Sequence, residues 1–113
     1  MFKIIVFLLA VSTTSAIAET KLSGAEITST LNDVVLYGEY NGHPMNQIFQ
    51  KSGNTYFNSD GGQSQGAWNV QADQYCSQWQ PNPSWACYDI LRDGDKVTFV
   101  AKSGTRTEMS LAK

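Results

Sequence analysis

Residues 75–89 read YCSQWQPNPSWACYD, and the reading of this stretch decides the fold. It holds both cysteines of the chain, and Pro81 and Pro83 cannot continue a β-ladder, so a loop falls between two strands. A four-residue loop over Gln80–Pro83 sets Cys76 opposite Cys87, Tyr75 opposite Tyr88 and Ser77 opposite Ala86. Opposed residues in antiparallel strands have Cβ atoms about 4.5–5.5 Å apart, which local twist can bring to disulfide distance. A redox pair would more naturally be C-x-x-C near a helix start, and a metal site needs further ligands close by. The expectation is a structural disulfide closing a loop of about twelve residues and stabilising by roughly 3 kcal/mol.

Working outward, a two-residue turn at Ala72 and Asp73 pairs Val70 with Tyr75, Trp68 with Ser77 and Gly66 with Trp79, the glycine leaving room for the indole. On the other side, Asp93 and Gly94 form the two-residue turn that Asp-Gly favours. That turn sets Arg92 against Asp95, Ile90 against Val97, Tyr88 against Phe99 and Ala86 against Ala101. A three-residue turn over Ser103–Thr105 then brings Phe99 to Met109 and Val97 to Leu111. Independent turns thus gather Trp68, Val70, Tyr75, Trp79, Tyr88, Ile90, Val97, Phe99, Met109 and Leu111 on one face. A one-residue slip in any pairing would turn part of that face to water, so the agreement supports the register. The opposite face carries Gln74, Gln78, Asp89, Lys96 and Thr98, as a solvated face should. It also carries the disulfide, Trp85, Leu91 and Val100, an apolar strip that needs a cover or a partner and is the candidate binding surface.

Upstream, KLSGAEITSTLNDV (21–34) contains Ser23 three residues before Glu26, a capping box, with Leu22 placed to pack on Ile27. Ile27, Leu31 and Val34 follow at helical spacing, which predicts a short helix from about Gly24 to Asn32. The threonines and serine at 28–30 are poor helix formers, so the helix must pack on something else to hold. From Val34 the pattern changes to VVLYGEY, NQIFQ, NTYFNS, GAWNVQ, QYCSQW, WACYDILR, KVTFVAK and TEMSL, short strands separated by turn residues. The fold class is mainly β: a short N-terminal helix packed on an antiparallel meander of six to eight strands. The meander is curved into a partial or closed small barrel, lipocalin-like, with one disulfide. Barrels of this size fill their interior with side chains or hold one small ligand.

The chain opens with Lys3, an apolar run from Ile4 to Val11 and the small-residue triplet Ala16, Ile17, Ala18. This predicts a signal peptide over residues 1–18, too short in its apolar part to span a bilayer. Export means a disulfide-permissive compartment, periplasmic or secreted. Removing 18 of 113 residues leaves 95, one domain over residues 19–113, and loss of Lys3 takes the formal charge from −2 to −3. A mildly acidic chain with scattered basic residues has no electrostatic footprint for nucleic acid, and no later segment is long and apolar enough for an integral membrane helix.

Several stretches mimic catalytic or metal motifs. GQSQG (62–66) matches a nucleophile elbow, but the elbow belongs on a strand-to-helix turn with a histidine downstream, whereas the one histidine, His43, lies upstream. A glycine-rich loop is the better reading. NSDGGQ (58–63) lacks the alternating carboxylates and closing glutamate of a calcium loop, so a plain turn is expected. His43 stands alone in a turn, and of Asp89, Asp93 and Asp95 two are accounted for by the Asp93–Gly94 turn and Arg92. The expectation is no catalytic residue, no metal and no cofactor. Five Tyr, five Phe and three Trp are many for this length, yet most fall on the core face, which leaves Trp85 over.

The chain resembles a domain-of-unknown-function family of short exported proteins, chiefly from alphaproteobacteria. The similarity lies in LSGAEI, TYFNSDG, GAWNV, QYCSQW, CYDILRDGD and VTF and covers most of residues 22–100. It implies a periplasmic location, a small mostly β domain with the Cys76–Cys87 bridge, and no catalytic residues. The functional expectation is a non-enzymatic periplasmic binding or envelope-associated module, monomer or weak dimer, with the mouth of the sheet or the Trp85 strip as its contact surface and an unknown small ligand or an envelope protein as its partner. Two alternatives stand beside it, a small inhibitor of the lysozyme-inhibitor kind and a small hydrolase of envelope polymers.

Overall fold

A computed structural model describes residues 18–113, so the predicted signal peptide, apart from Ala18, lies outside the described residues. The elements in chain order are strand β1 (Thr20–Lys21), helix α1 (Gly24–Leu31) and strands β2 (Val34–Tyr40), β3 (His43–Phe49), β4 (Asn54–Ser59) and β5 (Gly62–Gln71). There follow β6 (Gln74–Trp79), β7 (Ala86–Asp93), β8 (Lys96–Ala101) and β9 (Arg106–Ser110). Each of β2–β9 pairs antiparallel with the next, and β9 returns to β2 through Tyr37 opposite Ser110, which closes an eight-stranded up-and-down barrel. Apolar side chains face inward and charged ones such as Lys21, Lys96 and Glu108 sit on the exposed surface, the reverse of a lipid-embedded barrel.

The pairings around the cysteines are those expected: Cys76 opposite Cys87, Tyr75 opposite Tyr88, Val70 opposite Tyr75 and Gly66 opposite Trp79. The disulfide is formed. Only Tyr75, Cys76 and Ser77 of β6 pair with β7, so the covalent bond lies across a narrow seam. Gly66 fits its place closely, since a Cβ there would lie 2.8 Å from the Trp79 ring and 2.5 Å from the Gln78 carbonyl.

Two turns differ from expectation. The β7–β8 turn is Gly94–Asp95, which places Ile90 opposite Phe99 and Tyr88 opposite Ala101. Gly94, at φ +58°, takes the first central position, the one a type II′ turn reserves for glycine. The β8–β9 loop is Lys102–Gly104, which places Val97 opposite Met109. Each shift is by two residues, so every side chain keeps its face and the expected core survives. Arg92 accordingly does not meet Asp95; its guanidinium donates to the Gly94 carbonyl and to Thr30.

Three further corrections follow from pairing. GQSQG is not a loop: Asp60 and Gly61 supply the turn, so Gly62–Gly66 pairs with β4. His43 opens β3 rather than lying in the turn, which is Asn41–Gly42. Thr98, expected in solvent, is buried, because its outward side chain is short and sits between Leu91 and Glu108 on the neighbouring strands.

Phe49 sits at the centre of the core, edge-on to Trp68 and Tyr75 at 5.9 and 5.7 Å and stacked on Phe99 at 6.1 Å. The helix lies at the end of the barrel that carries the β3–β4, β5–β6 and β7–β8 turns. Ser23 caps it with the expected box, its Oγ accepting from the Glu26 amide and its own N–H donating to the Glu26 carboxylate. That bond to the charged form lowers the Glu26 pKa. Ile27 and Leu31 are wholly buried beside Leu22, Leu36 and Phe49. The helix start is tied down by Asp73, which accepts from the Gly24 amide at 2.7 Å, and both Ala72 and Asp73 hold positive φ in that turn.

Candidate functional site

Among the described residues, one concavity lies at the barrel end opposite the helix and another on the outer wall. The first is the mouth, about 540 Å³, built where β2 runs into β3 and β4 into β5. Both hairpins turn through an Asx-Gly pair, Asn41–Gly42 and Asp60–Gly61, with all four residues at positive φ as a type I′ turn requires. These tight turns lie at the same end of the barrel, the β2–β3 turn two residues beyond the β4–β5 turn, and leave Tyr40 and Phe57 at the rim, in edge-to-face contact at 5.7 Å. Phe57 in turn meets Trp79 at 6.5 Å, and the Trp79 indole N–H donates to Ser77. Tyr40 remains 56% exposed.

Below the mouth a chain of buried polar groups crosses the interior. The Gln47 amide donates to Thr55 at 3.0 Å and to the Tyr75 hydroxyl at 3.2 Å, and Thr55 donates to the Ile48 carbonyl. Burial pushes the Tyr75 phenol up to about 12, with hydrogen bonding to Ser77 and Gln47 acting the other way. The phenol is therefore neutral at any physiological pH and acts as a fixed hydrogen-bonding group.

His43 Nδ1 lies 3.4 Å from the Asp60 carboxylate, both side chains more than half exposed, a surface contact of small energetic weight. Ser64 lines the same mouth but belongs to another level. Through the register it is level with Phe57 and Gln47, four residues along β3 from His43. At about 3.4 Å per residue, that is about 14 Å along the strand alone, beyond any hydrogen bond. Ser64 also sits within an antiparallel hairpin strand, not at a strand-to-helix elbow. Among the described residues no three His, Cys, Asp or Glu side chains come together as a metal set.

The second concavity, about 820 Å³, runs along the outer wall over the disulfide, between Gln74 and Asp89 on one side and Val100 and Lys102 on the other. Trp85, 42% exposed, stands over it. Of the expected apolar strip, Trp85, Cys87 and Val100 are brought together here, while Leu91 is not. Leu91 lies opposite Lys21 of β1 and Thr98 of β8. Strand β1 occupies the edge of β7 where β6 has ended, and Lys21 reaches Asp89 at 3.6 Å, so part of the strip is flanked by the chain's own N-terminal segment. Cys76 is fully buried.

No family model, curated protein or solved structure matches this chain. The site is therefore read from its own geometry. The sequence offers the mouth of the sheet as a contact surface without naming its residues, because only the hairpins of the second half fix a register and Tyr40 and Phe57 lie in the first. The signal was nevertheless present: an aromatic residue of inward parity lies close before each Asx-Gly turn, at Tyr40-Asn41-Gly42 and at Phe57-Asn58-Ser59-Asp60-Gly61.

Proposed function

We propose that this protein is an exported, periplasmic, non-enzymatic binding module of the resembled family, and that the barrel mouth is its ligand-contact surface. The observation that carries this reading is the asymmetry of the barrel: one end is filled by Ile27 and Leu31, while the other presents an exposed tyrosine among polar side chains of which one, Asp60, is a carboxylate. Small barrels use such mouths for ligands. The disulfide supports export, and the separation of Ser64 from His43 supports a binding role over hydrolysis. Native mass spectrometry of the mature protein recovered from the periplasm is the test. A retained small molecule, lost when Tyr40 is changed to alanine, is the expected result; a tightly held protein subunit and no small molecule would overturn it.

A second reading, a protein inhibitor of the lysozyme-inhibitor kind, is favoured by the outer groove, where exposed Trp85 offers an aromatic anchor of the sort that dominates protein interfaces. Pull-down with lysozymes and loss of capture on Trp85→Ala distinguish it.

A further inference from the structure

We infer that the mouth accepts a neutral, polyhydroxylated ligand of the sugar class; the inference rests on reading the protein as a binding module and names what that module holds. A pyranose presents an apolar C–H face and a ring of hydroxyls that each donate and accept. The mouth offers the complement of both. Tyr40 gives an exposed aromatic face, braced by Phe57 and through it by Trp79, so its orientation is held before any ligand arrives. Around it stand Asn41, Ser59, Gln63 and Ser64, side chains that can donate and accept alike. Gln63 is itself the end of an amide ladder, donating to Asn58, which donates to Asn46, at 2.9 and 2.8 Å. Asn58 lies between the inward-facing Phe57 and Ser59, so this ladder runs on the outer wall and Gln63 borders the mouth from its outer edge.

Charge narrows the class further. The side chains lining the mouth include one carboxylate, Asp60, beside His43, and no lysine or arginine. A phosphate or carboxylate ligand would be desolvated there without a cation to receive it. A quaternary ammonium would use the aromatic face and the Asp60 carboxylate but leave the four amide and hydroxyl side chains without use. A purely apolar ligand would bury those same groups unpaired. The volume of 540 Å³ falls in the small-ligand range of about 300–1,000 Å³.

The test is a titration of the mature, disulfide-intact protein followed by two-dimensional amide NMR. The probes are tri-N-acetylglucosamine and maltotriose as neutral sugars, tetramethylammonium as a cation and inorganic phosphate as an anion. Saturable shifts on Tyr40, Phe57 and Gln63 with a neutral sugar are expected, weakened about tenfold by Tyr40→Ala and unchanged by Trp85→Ala. Response to tetramethylammonium or phosphate with none to either sugar would overturn the sugar inference while leaving a ligand-binding mouth. Sugar shifts confined to the Trp85 groove, or silence toward all four probes, would overturn it as well. Retention of a non-sugar molecule in the native mass spectrum sinks the sugar class alone; a bare protein that captures lysozyme through Trp85 sinks the binding-module reading with it.

Discussion

At the end of the barrel where α1 lies, Ile27 and Leu31 are shut away from water, the helix start is tied to Asp73 and Arg92 reaches Thr30. At the other end two hairpins turn through Asx-Gly pairs and Tyr40 stands more than half exposed. Both ends are made from the same alternation of inward side chains, and the difference lies in what is laid over them. One end is a core continued by a helix; the other is a surface that stability does not account for. Tyr40 packs one edge on Phe57 and leaves the rest of its ring to solvent, a contact surface with no counterpart at the helix end.

Substitutions test that contrast most strongly at the closed end. Ile27→Ala leaves a cavity between helix and barrel and should cost about 2–5 kcal/mol in chemical denaturation. A loss under about 1 kcal/mol would mean the helix is a loosely held lid and the ends differ less than their burial suggests. Next in size is the wall between the ends. Replacing Cys76 and Cys87 together by alanine opens the narrow β6–β7 seam and should cost roughly 3 kcal/mol, read as a drop in denaturation midpoint relative to the oxidised protein.

The polar chain inside gives a pH signature. The Tyr75 phenol sits at about 12 in the fold against an ordinary 10, so the unfolded chain ionises first. Its contribution is therefore complete below about pH 10 and is lost as the pH rises toward 12, by at most about 2–3 kcal/mol. Tyr75→Phe should flatten this alkaline slope in denaturation curves measured from neutral pH upward, while costing about 1 kcal/mol at neutral pH by removing one of the two acceptors of the buried Gln47 amide. An unchanged slope would place the alkaline sensitivity on other groups.

Smaller effects sharpen the contrast. Ser23→Ala removes one half of the capping box and should cost about 1 kcal/mol, visible as a modest fall in Tm. Tyr40→Ala should change stability by only about 0.5 kcal/mol, as expected of an exposed site, yet remove ligand retention in the native mass spectrum. Should Tyr40→Ala lower the Tm as much as Ile27→Ala, the open end would be a structural cap after all.

The helix, its capping box, the disulfide partners and the inward set of the second half were legible in the amino-acid sequence because each rests on local chemistry: a side chain three residues from another, a proline loop, a period of two. Even where the turns at Gly94–Asp95 and Lys102–Gly104 moved the register, the move was by two residues and the faces stood. What only the tertiary structure decided was closure, through Tyr37 of the first barrel strand meeting Ser110 of the last. It also decided the docking of Thr20–Lys21 on β7, too short a segment to carry any periodicity, and with it the separation of Leu91 from the Trp85 groove. The mouth belongs to this second class. Tyr40 and Phe57 become neighbours by strand curvature, and curvature is set by packing among residues far apart in sequence rather than by any local pattern.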